Sequence, residues 1–305
     1  AKTLDIDVSI IEEAILHPSQ WIKWLAANIL ENILGTKELE CVIQRLFEIG
    51  KGFTLWAACG LAEKIERQRV VELILERMTK PPVWGCGYLF DLLCEGELPQ
   101  KELLLATVRA GLLTDFLETA MAAARLAIKI AEPKFDNFAS VLENAYEYWL
   151  LHEKPYPKRG IIPDSPRANI IKALTNIRLP SYKTITSFLK DSRHDVREIG
   201  AKVLVDRLRQ TKGERLQFFK EIESGVLPCR VLETALRGEL PLGEDEIAIV
   251  EHLLKNANEH IRYGAMALLT ECYLDRNKIR KHATAMTFDS EQQIVDRAFS
   301  ILDKC

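Results

Sequence analysis

The residues best suited to recognition chemistry form a run of cations in the middle of the chain. Residues 151–220 hold 16 basic and 7 acidic side chains, a net charge of +9, whereas the whole chain carries −3. A one-sided cationic segment is typical of a surface that binds acidic protein segments or nucleic acid. We therefore predict that an acidic partner docks here, on Lys154, Tyr156, Lys158, Arg159, Arg167, Arg193 and Arg197.

Tryptophans supply a second candidate site. Trp24 and Trp56 each follow the start of a recurring apolar pattern by two positions, and Trp84 follows the next start by one. A column of indoles could bind a peptide, because Trp dominates the hot spots of protein interfaces. The alternative is packing between neighbouring helices, which we favour because large aromatic side chains are mostly buried. Trp24 and Trp56 stay in the candidate binding set.

Catalytic motifs are missing from the sequence. There is no phosphate-binding loop, no Gly–x–Ser–x–Gly elbow and no His–Glu–x–x–His pair, and Gly85–x–Gly87 lacks the third glycine of a dinucleotide fingerprint. The six histidines do not cluster at the spacing of metal ligands. The sequence therefore favours a protein that is not an enzyme, and it predicts no catalytic residue, no metal ion and no cofactor.

The elements that carry these residues are predicted to be helical hairpins. In the segment 190–210, KDSRHDVREIGAKVLVDRLRQ, apolar residues at 196, 199, 203 and 204 form one stripe of a helix. Gly200 and Ala201 leave a gap in that stripe where another helix could approach closely. Because one helix ends before Asp191 and another begins after it, the segment predicts a helix–turn–helix unit.

Loose copies of this unit recur along the chain. They start at positions 22, 54, 83, 116, 196, 231, 261 and 294, with spacings mostly of about 30 to 35 residues, which is the range of repeat arrays. The longer gap between 116 and 196 must hold one further unit and an insertion. No strand-like alternation of useful length occurs, so we predict an all-α solenoid of about nine hairpins.

A Pro-rich stretch divides the predicted array. The residues 152–167, HEKPYPKRGIIPDSPR, contain four prolines and are predicted to form a loop. We therefore expect acidic N-terminal repeats over 1–151 and C-terminal repeats over 168–305, joined by this basic insertion into one continuous solenoid. An insertion of this length is either functional or merely tolerated, and the sequence does not decide between the two.

The unit at 190–210 resembles the HEAT repeat. That pattern places Asp in the turn, Val–Arg one turn into the second helix and a small residue four positions after the Val, here Asp191, Val196, Arg197 and Gly200. The resemblance extends to Arg262, with Asn256, Ile261 and Ala265 in register, and to Ile22, Lys23 and Ala26, where Lys replaces Arg and Pro18 and Ser19 occupy the turn. It implies a right-handed α-solenoid with binding rather than catalytic function, in which Asp191 and Arg197 belong to a structural ladder between repeats.

Composition narrows the function further. With 48% hydrophobic and 28% charged residues the chain is predicted to fold, and its longest apolar runs are too short for a membrane span. Seven scattered cysteines favour reduced thiols, and no signal peptide is visible, so we expect a cytoplasmic protein without a membrane partner. The function predicted is a protein-binding scaffold or sensor, alone or within a larger protein. The alternative is a nucleic-acid-binding protein of the HEAT-like DNA-glycosylase type that uses residues 151–220.

Overall fold

The computed structural model describes residues 8–50, 52–98, 101–153, 165–227, 242–272 and 275–304, and over these ranges the backbone forms helices and turns without a strand. They fall into two compact units, Ala1–Arg178 (unit 1) and Leu179–Cys305 (unit 2). Unit 1 contains α1 (Val8–Ala14), α2 (Gln20–Ile33), α3 (Thr36–Ile49), α4 (Gly52–Ala62), α5 (Arg67–Met78), α6 (Cys86–Cys94), α7 (Lys101–Leu112), α8 (Leu117–Ile130), α9 (Asp136–His152) and α10 (Pro166–Ile177). Unit 2 contains α11 (Tyr182–Leu189), α12 (His194–Gln210), α13 (Lys212–Glu223), α14 (Glu244–Leu253), α15 (Glu259–Cys272), α16 (Arg276–Met286) and α17 (Gln292–Leu302).

Consecutive helices form hairpins, as the sequence predicts. The described residues contain eight of them: α1 to α12 and α14 to α17, taken two at a time. Helix α13 stands before residues 228–241, which lie outside the described part and include the copy that starts at position 231. The arrangement agrees with the predicted all-α fold of about nine hairpins.

In unit 1 the second helices of successive hairpins pack against one another, α2 on α4, α4 on α6, α6 on α8 and α8 on α10. Small residues make this close approach feasible. Ala26 and Ala58 are buried, and α8 buries a run of alanines at positions 122 to 124. A Cβ atom on Gly87 would lie 3.1 Å from the carbonyl oxygen of Glu118, so α6 and α8 meet almost backbone to backbone. The small residues of the repeat pattern are therefore buried where these helices meet.

In unit 2 the same positions bring helices together. Gly200 of α12 is buried, and a Cβ atom there would lie 2.8 Å from Cβ of Phe188 on α11. Ala265 of α15 and Ala298 of α17 are fully buried in the hydrophobic core of the unit. Their burial confirms that the sequence frame identified the helix contacts correctly.

The described ends of the Pro-rich insertion are held together inside unit 1. Ser165 caps α10 by accepting a hydrogen bond from the Arg167 N–H at 3.2 Å, and its hydroxyl donates to Glu153 at 3.0 Å. Pro166 occupies the first turn of α10, where a missing N–H costs nothing. Residues 154–164 lie outside the described part. The insertion therefore connects two helices of one unit, and the division between the units falls later, at Arg178. One continuous solenoid stays a prediction.

Candidate functional site

The turn at Asp191 is built by the residues that the HEAT resemblance singles out. Arg197 Nη1 donates to the carbonyl oxygens of Asp191 and Ser192, both at 2.7 Å. The carboxylate of Asp191, which is buried, accepts the backbone N–H of Arg193 at 2.8 Å. Backbone carbonyls at the end of a helix have no partner within the helix, so Arg197 stabilises the turn rather than facing a ligand.

The next matching unit repeats this geometry and extends it. Arg262 Nη1 donates to the carbonyls of Asn256 at 2.9 Å and Ala257 at 3.0 Å, and Asn256 Oδ1 accepts the N–H of Asn258 at 2.9 Å. The remaining guanidinium nitrogens of Arg262 donate to both carboxylate oxygens of Asp289 at 2.8 Å. Asp289 stands in the turn of the following hairpin, so the implied Asp–Arg ladder between repeats exists at this step.

Two arginines of the predicted cationic site lie in the interior. Arg167 is 3% exposed and its Nε donates to the nearly buried carboxylate of Glu153 at 2.7 Å. Arg193 is 7% exposed and donates through two nitrogens to Asp195, both at 2.9 Å. Their guanidinium groups hold the fold and are not presented to a partner. Lys154, Tyr156, Lys158 and Arg159 lie outside the described residues, so their role in binding stays a prediction.

Other cations of the 151–220 segment also have partners. Arg207 pairs with Glu214 at 2.7 Å, and Arg215 pairs with Glu246 at 2.6 Å. Arg178 donates to Glu143 at 2.7 Å. Because such pairs neutralise charge locally, the described part of the segment is a weaker cationic surface than its net charge implies.

An exposed aromatic surface lies on the second helices of the first three hairpins. It forms a groove of about 640 Å³, which we call the aromatic groove, lined by Trp21, Lys23, Trp24, Phe53, Trp56 and Tyr88. Trp21 is 78% exposed and Trp24 49%, and Trp56 and Tyr88 also exceed a third. The favoured interpretation that these indoles are buried between repeats is therefore wrong, because Trp24 is 49% and Trp56 37% exposed.

Two glycines set the shape of this surface. Gly85 has a φ of +94°, which side-chain-bearing residues rarely adopt, and caps the start of α6. A Cβ atom on Gly85 would lie 2.5 Å from Cα of Gly52, and one on Gly52 would lie 1.7 Å from the Trp84 ring. This contact places Trp84 across the start of α4, where it meets Phe53 edge-on with ring centroids 5.4 Å apart.

Lys23 occupies the floor of the groove. Its side chain is 7% exposed, and its ammonium lies 3.7 Å from the centroid of the Phe53 ring. A cation over an aromatic face is attracted by the ring quadrupole. Among the described residues, the structure places no carboxylate in an ion pair with Lys23.

Sequence reasoning missed four residues of the groove: Trp21, Lys23, Phe53 and Tyr88. A pattern pointing to Trp21 was present, because it stands three residues before Trp24 and such a pair shares one helix face. The two rings meet edge-on at 6.0 Å. Phe53 and Tyr88 join the groove through packing between helices, which a single sequence does not reveal.

Three of the described cysteines, Cys59, Cys86 and Cys94, have the properties of structural thiols. Burial raises the pKa of Cys59 to about 12 and also raises the pKa of Cys86 and Cys94 above the usual range of a thiol. A nucleophilic cysteine needs a lowered pKa. In the described ranges, no group of three or more His, Cys, Asp or Glu side chains could hold a metal ion, and no helix has the length and apolarity to cross a membrane.

No family model matches the sequence, and no curated protein matches it. Solved structures that are similar to this chain include the following two. One, an engineered protein, is 14% identical, with 95% of this chain and 76% of that chain covered and a TM-score of 0.35. The other, the archaeal HEAT-like repeats protein from Thermococcus onnurineus NA1, is 15% identical, with 99% and 97% covered and a TM-score of 0.27. Over the described residues the chain is all-α and built of helical hairpins, and the turns at Asp191 and Asn256, each capped by an arginine, resemble those of HEAT repeats.

Proposed function

We propose that the chain is a protein-binding helical-repeat scaffold and that a partner protein binds in the aromatic groove. The observation that carries the proposal is the exposure of Trp21, Trp24, Trp56 and Tyr88 along one side of α2, α4 and α6. Exposed aromatic side chains that form one contiguous surface are typical of interaction sites. Trp and Tyr are also the side chains most often found at the energetic centres of protein interfaces.

The surroundings of the groove favour a binding surface over a catalytic one. Its lining side chains are five aromatic rings and one lysine, and none of them is a nucleophile paired with a base. The rings are held by rigid helices, so little conformational entropy is lost when a partner packs on them. These properties support recognition of a protein segment.

The test removes two rings and leaves the fold intact. We expect a Trp24→Ala, Trp56→Ala double variant to keep the circular dichroism and melting temperature of the wild type, because both rings are half-exposed. Immobilised wild-type chain should retain a partner from a cell extract, and the purified partner should bind the double variant at least about thirtyfold more weakly, since truncating a hot-spot residue costs about 2 kcal/mol or more.

The matched control is Phe288→Ala. Phe288 is an aromatic residue of unit 2 that is 87% exposed and lies outside the groove. It should leave partner binding unchanged. A partner retained equally by the double variant and by Phe288→Ala would place the binding surface elsewhere and refute the proposal.

The cationic segment remains a second candidate, for an acidic protein segment or for nucleic acid. Lys183, Lys190 and Lys202 of the described residues are exposed there, which favours weak and salt-sensitive contacts. Heparin retention in a salt series separates the two partner classes, because a nucleic-acid binder loses affinity steeply with salt and also retains a generic duplex. We also propose that the protein acts in the cytoplasm, as the sequence predicts.

A further inference from the structure

We infer that the segment bound in the aromatic groove carries a carboxylate flanked by apolar or aromatic side chains, and that this carboxylate pairs with Lys23. The inference rests on the proposed function and adds the chemistry of the partner. Its central observation is that Lys23, on the floor of an apolar groove, is only 7% exposed.

Burial of an ammonium is costly unless a partner compensates its charge. The Phe53 ring at 3.7 Å supplies part of that compensation, and no carboxylate of the described residues supplies the rest. Arg69, by contrast, is a partly exposed cation of the same unit and pairs with Glu40 and Glu72. An anion entering the groove would therefore meet a cation that is already desolvated and held in place.

The repeat frame explains why no carboxylate of the described residues pairs with Lys23. Lys23 stands at the repeat position of Arg197 and Arg262. Arg262 reaches the next hairpin and meets the carboxylate of Asp289, whereas Lys23 reaches the next hairpin and meets the ring of Phe53. The cation at this repeat position thus contacts a carboxylate, Asp289, in unit 2 and an aromatic ring, Phe53, in unit 1.

The groove also limits the form of the partner. It crosses α2, α4 and α6, and neighbouring helix axes lie about 8–10 Å apart, so it is about 20 Å long. An extended segment of about six residues spans that length. Trp24 and Trp56 would contact its apolar side chains on either side of the carboxylate.

The experiment selects binders from a random peptide library displayed on phage, using the full chain as bait. Enriched peptides are synthesised in pairs, one with Asp or Glu and one with the matching Asn or Gln, and their affinities are measured by tryptophan fluorescence. We expect each acidic peptide to bind the wild type about tenfold to a hundredfold more tightly than its amide form, as a charge-assisted hydrogen bond provides.

Lys23→Met should abolish the difference between the two forms, and Lys64→Met, an exposed lysine of the same unit, should preserve it. Because the amide peptide is tested on the wild-type chain, this comparison does not depend on the folding of a variant. Equal affinity of the two peptides, or an undiminished difference in Lys23→Met, overturns the carboxylate inference; loss of both peptides in Trp24→Ala would then still support the proposed function. A library that yields only peptides indifferent to Trp24→Ala refutes both.

Discussion

Arg262 joins two hairpins of unit 2, and its replacement by alanine should loosen the hairpin α16–α17 first. The guanidinium makes two hydrogen bonds to Asp289 and caps the carbonyls of Asn256 and Ala257. The Arg262 and Asp289 side chains are only 12% and 8% exposed. Since repeats contact only their neighbours, losing one bridge weakens one step of the stack more than the rest.

The magnitude follows from what Arg262→Ala leaves behind. The carboxylate of Asp289 stays nearly buried, keeps its bond from the Glu291 N–H and loses its cation. Breaking a buried pair by removing one partner costs about 3–5 kcal/mol. Asp289→Asn keeps an acceptor for the turn and removes the charge, so we expect the single change to cost less. The coupling free energy of the pair should be about 1.5–3 kcal/mol, the value of hydrogen bonds to charged groups.

Two measurements check these values at neutral pH. Denaturant unfolding of the four members of the double-mutant cycle gives the coupling free energy. Native-state hydrogen exchange locates the effect, which should fall on the amides of α17 before those of α11 and α12. Lys202→Ala is the matched control, because its pair with Glu198 is exposed and such pairs contribute about 0–1 kcal/mol.

Additive losses would refute this reasoning. If the double variant loses the sum of the two single losses to within about 0.5 kcal/mol, the two side chains are energetically independent. Uniform loss of protection across unit 2 would instead show that the unit unfolds as one body and that the step between α15 and α17 is no weaker than the others.

Three further predictions concern packing, pH and the cationic segment. Gly200→Ala should lower the free energy of unfolding by about 1–3 kcal/mol through overpacking, whereas Gly213→Ala, whose added methyl meets open space, should be neutral or stabilising in the same denaturation assay. Arg262 holds the pKa of the Asp289 carboxyl below its ordinary value. The stabilisation that the pair contributes to the fold is therefore present above the unfolded pKa of about 4 and is lost as pH falls through the folded pKa. In acid the melting temperature of the wild type should drop towards that of the Arg262→Ala variant. Lys158→Glu with Arg159→Glu should reduce heparin retention without changing the melting temperature, because charges in the predicted Pro-rich loop should contribute little to stability. Unchanged retention would exclude these two residues from an anion-binding surface.

Helical hairpins could be predicted from the sequence because their determinants are local. The stripe through Val196 and Leu204 repeats with the helical period, and both side chains are buried. Gly200 indicates a close helix contact, because a Cβ atom at this position would clash with Phe188 of the neighbouring helix. The register of the turns followed from Asp191 and Arg197, which interact within six residues of each other.

The candidate sites were harder to predict than the hairpins, because they depend on residues that are far apart in the sequence. Arg215 counted as a free cation in the sequence, but its carboxylate partner Glu246 stands 31 residues away. Arg167 is likewise neutralised by Glu153 from the far side of the insertion. A net charge sums residues without regard to pairing, so it overestimated the cationic surface. For the tryptophans, the general preference of large rings for the interior gave the wrong answer.

The exposure of these rings has a structural cause. Two glycines bring the start of α6 onto the start of α4, Gly85 against Gly52, and the Trp84 ring lies where a Cβ atom on Gly52 would stand. The small residues Ala26 and Ala58 occupy the buried positions of α2 and α4, so the rings two residues before each lie on the opposite side of the contact. Close approach of the helices, which stabilises the stack, therefore also displaces the aromatic rings to the surface. Lys23 occupies the repeat position of Arg262. Arg262 pairs with Asp289 of the next hairpin, whereas Lys23 contacts the ring of Phe53. The arginines of unit 2 thus stabilise its turns, whereas the tryptophans of unit 1 are left exposed beside the buried Lys23.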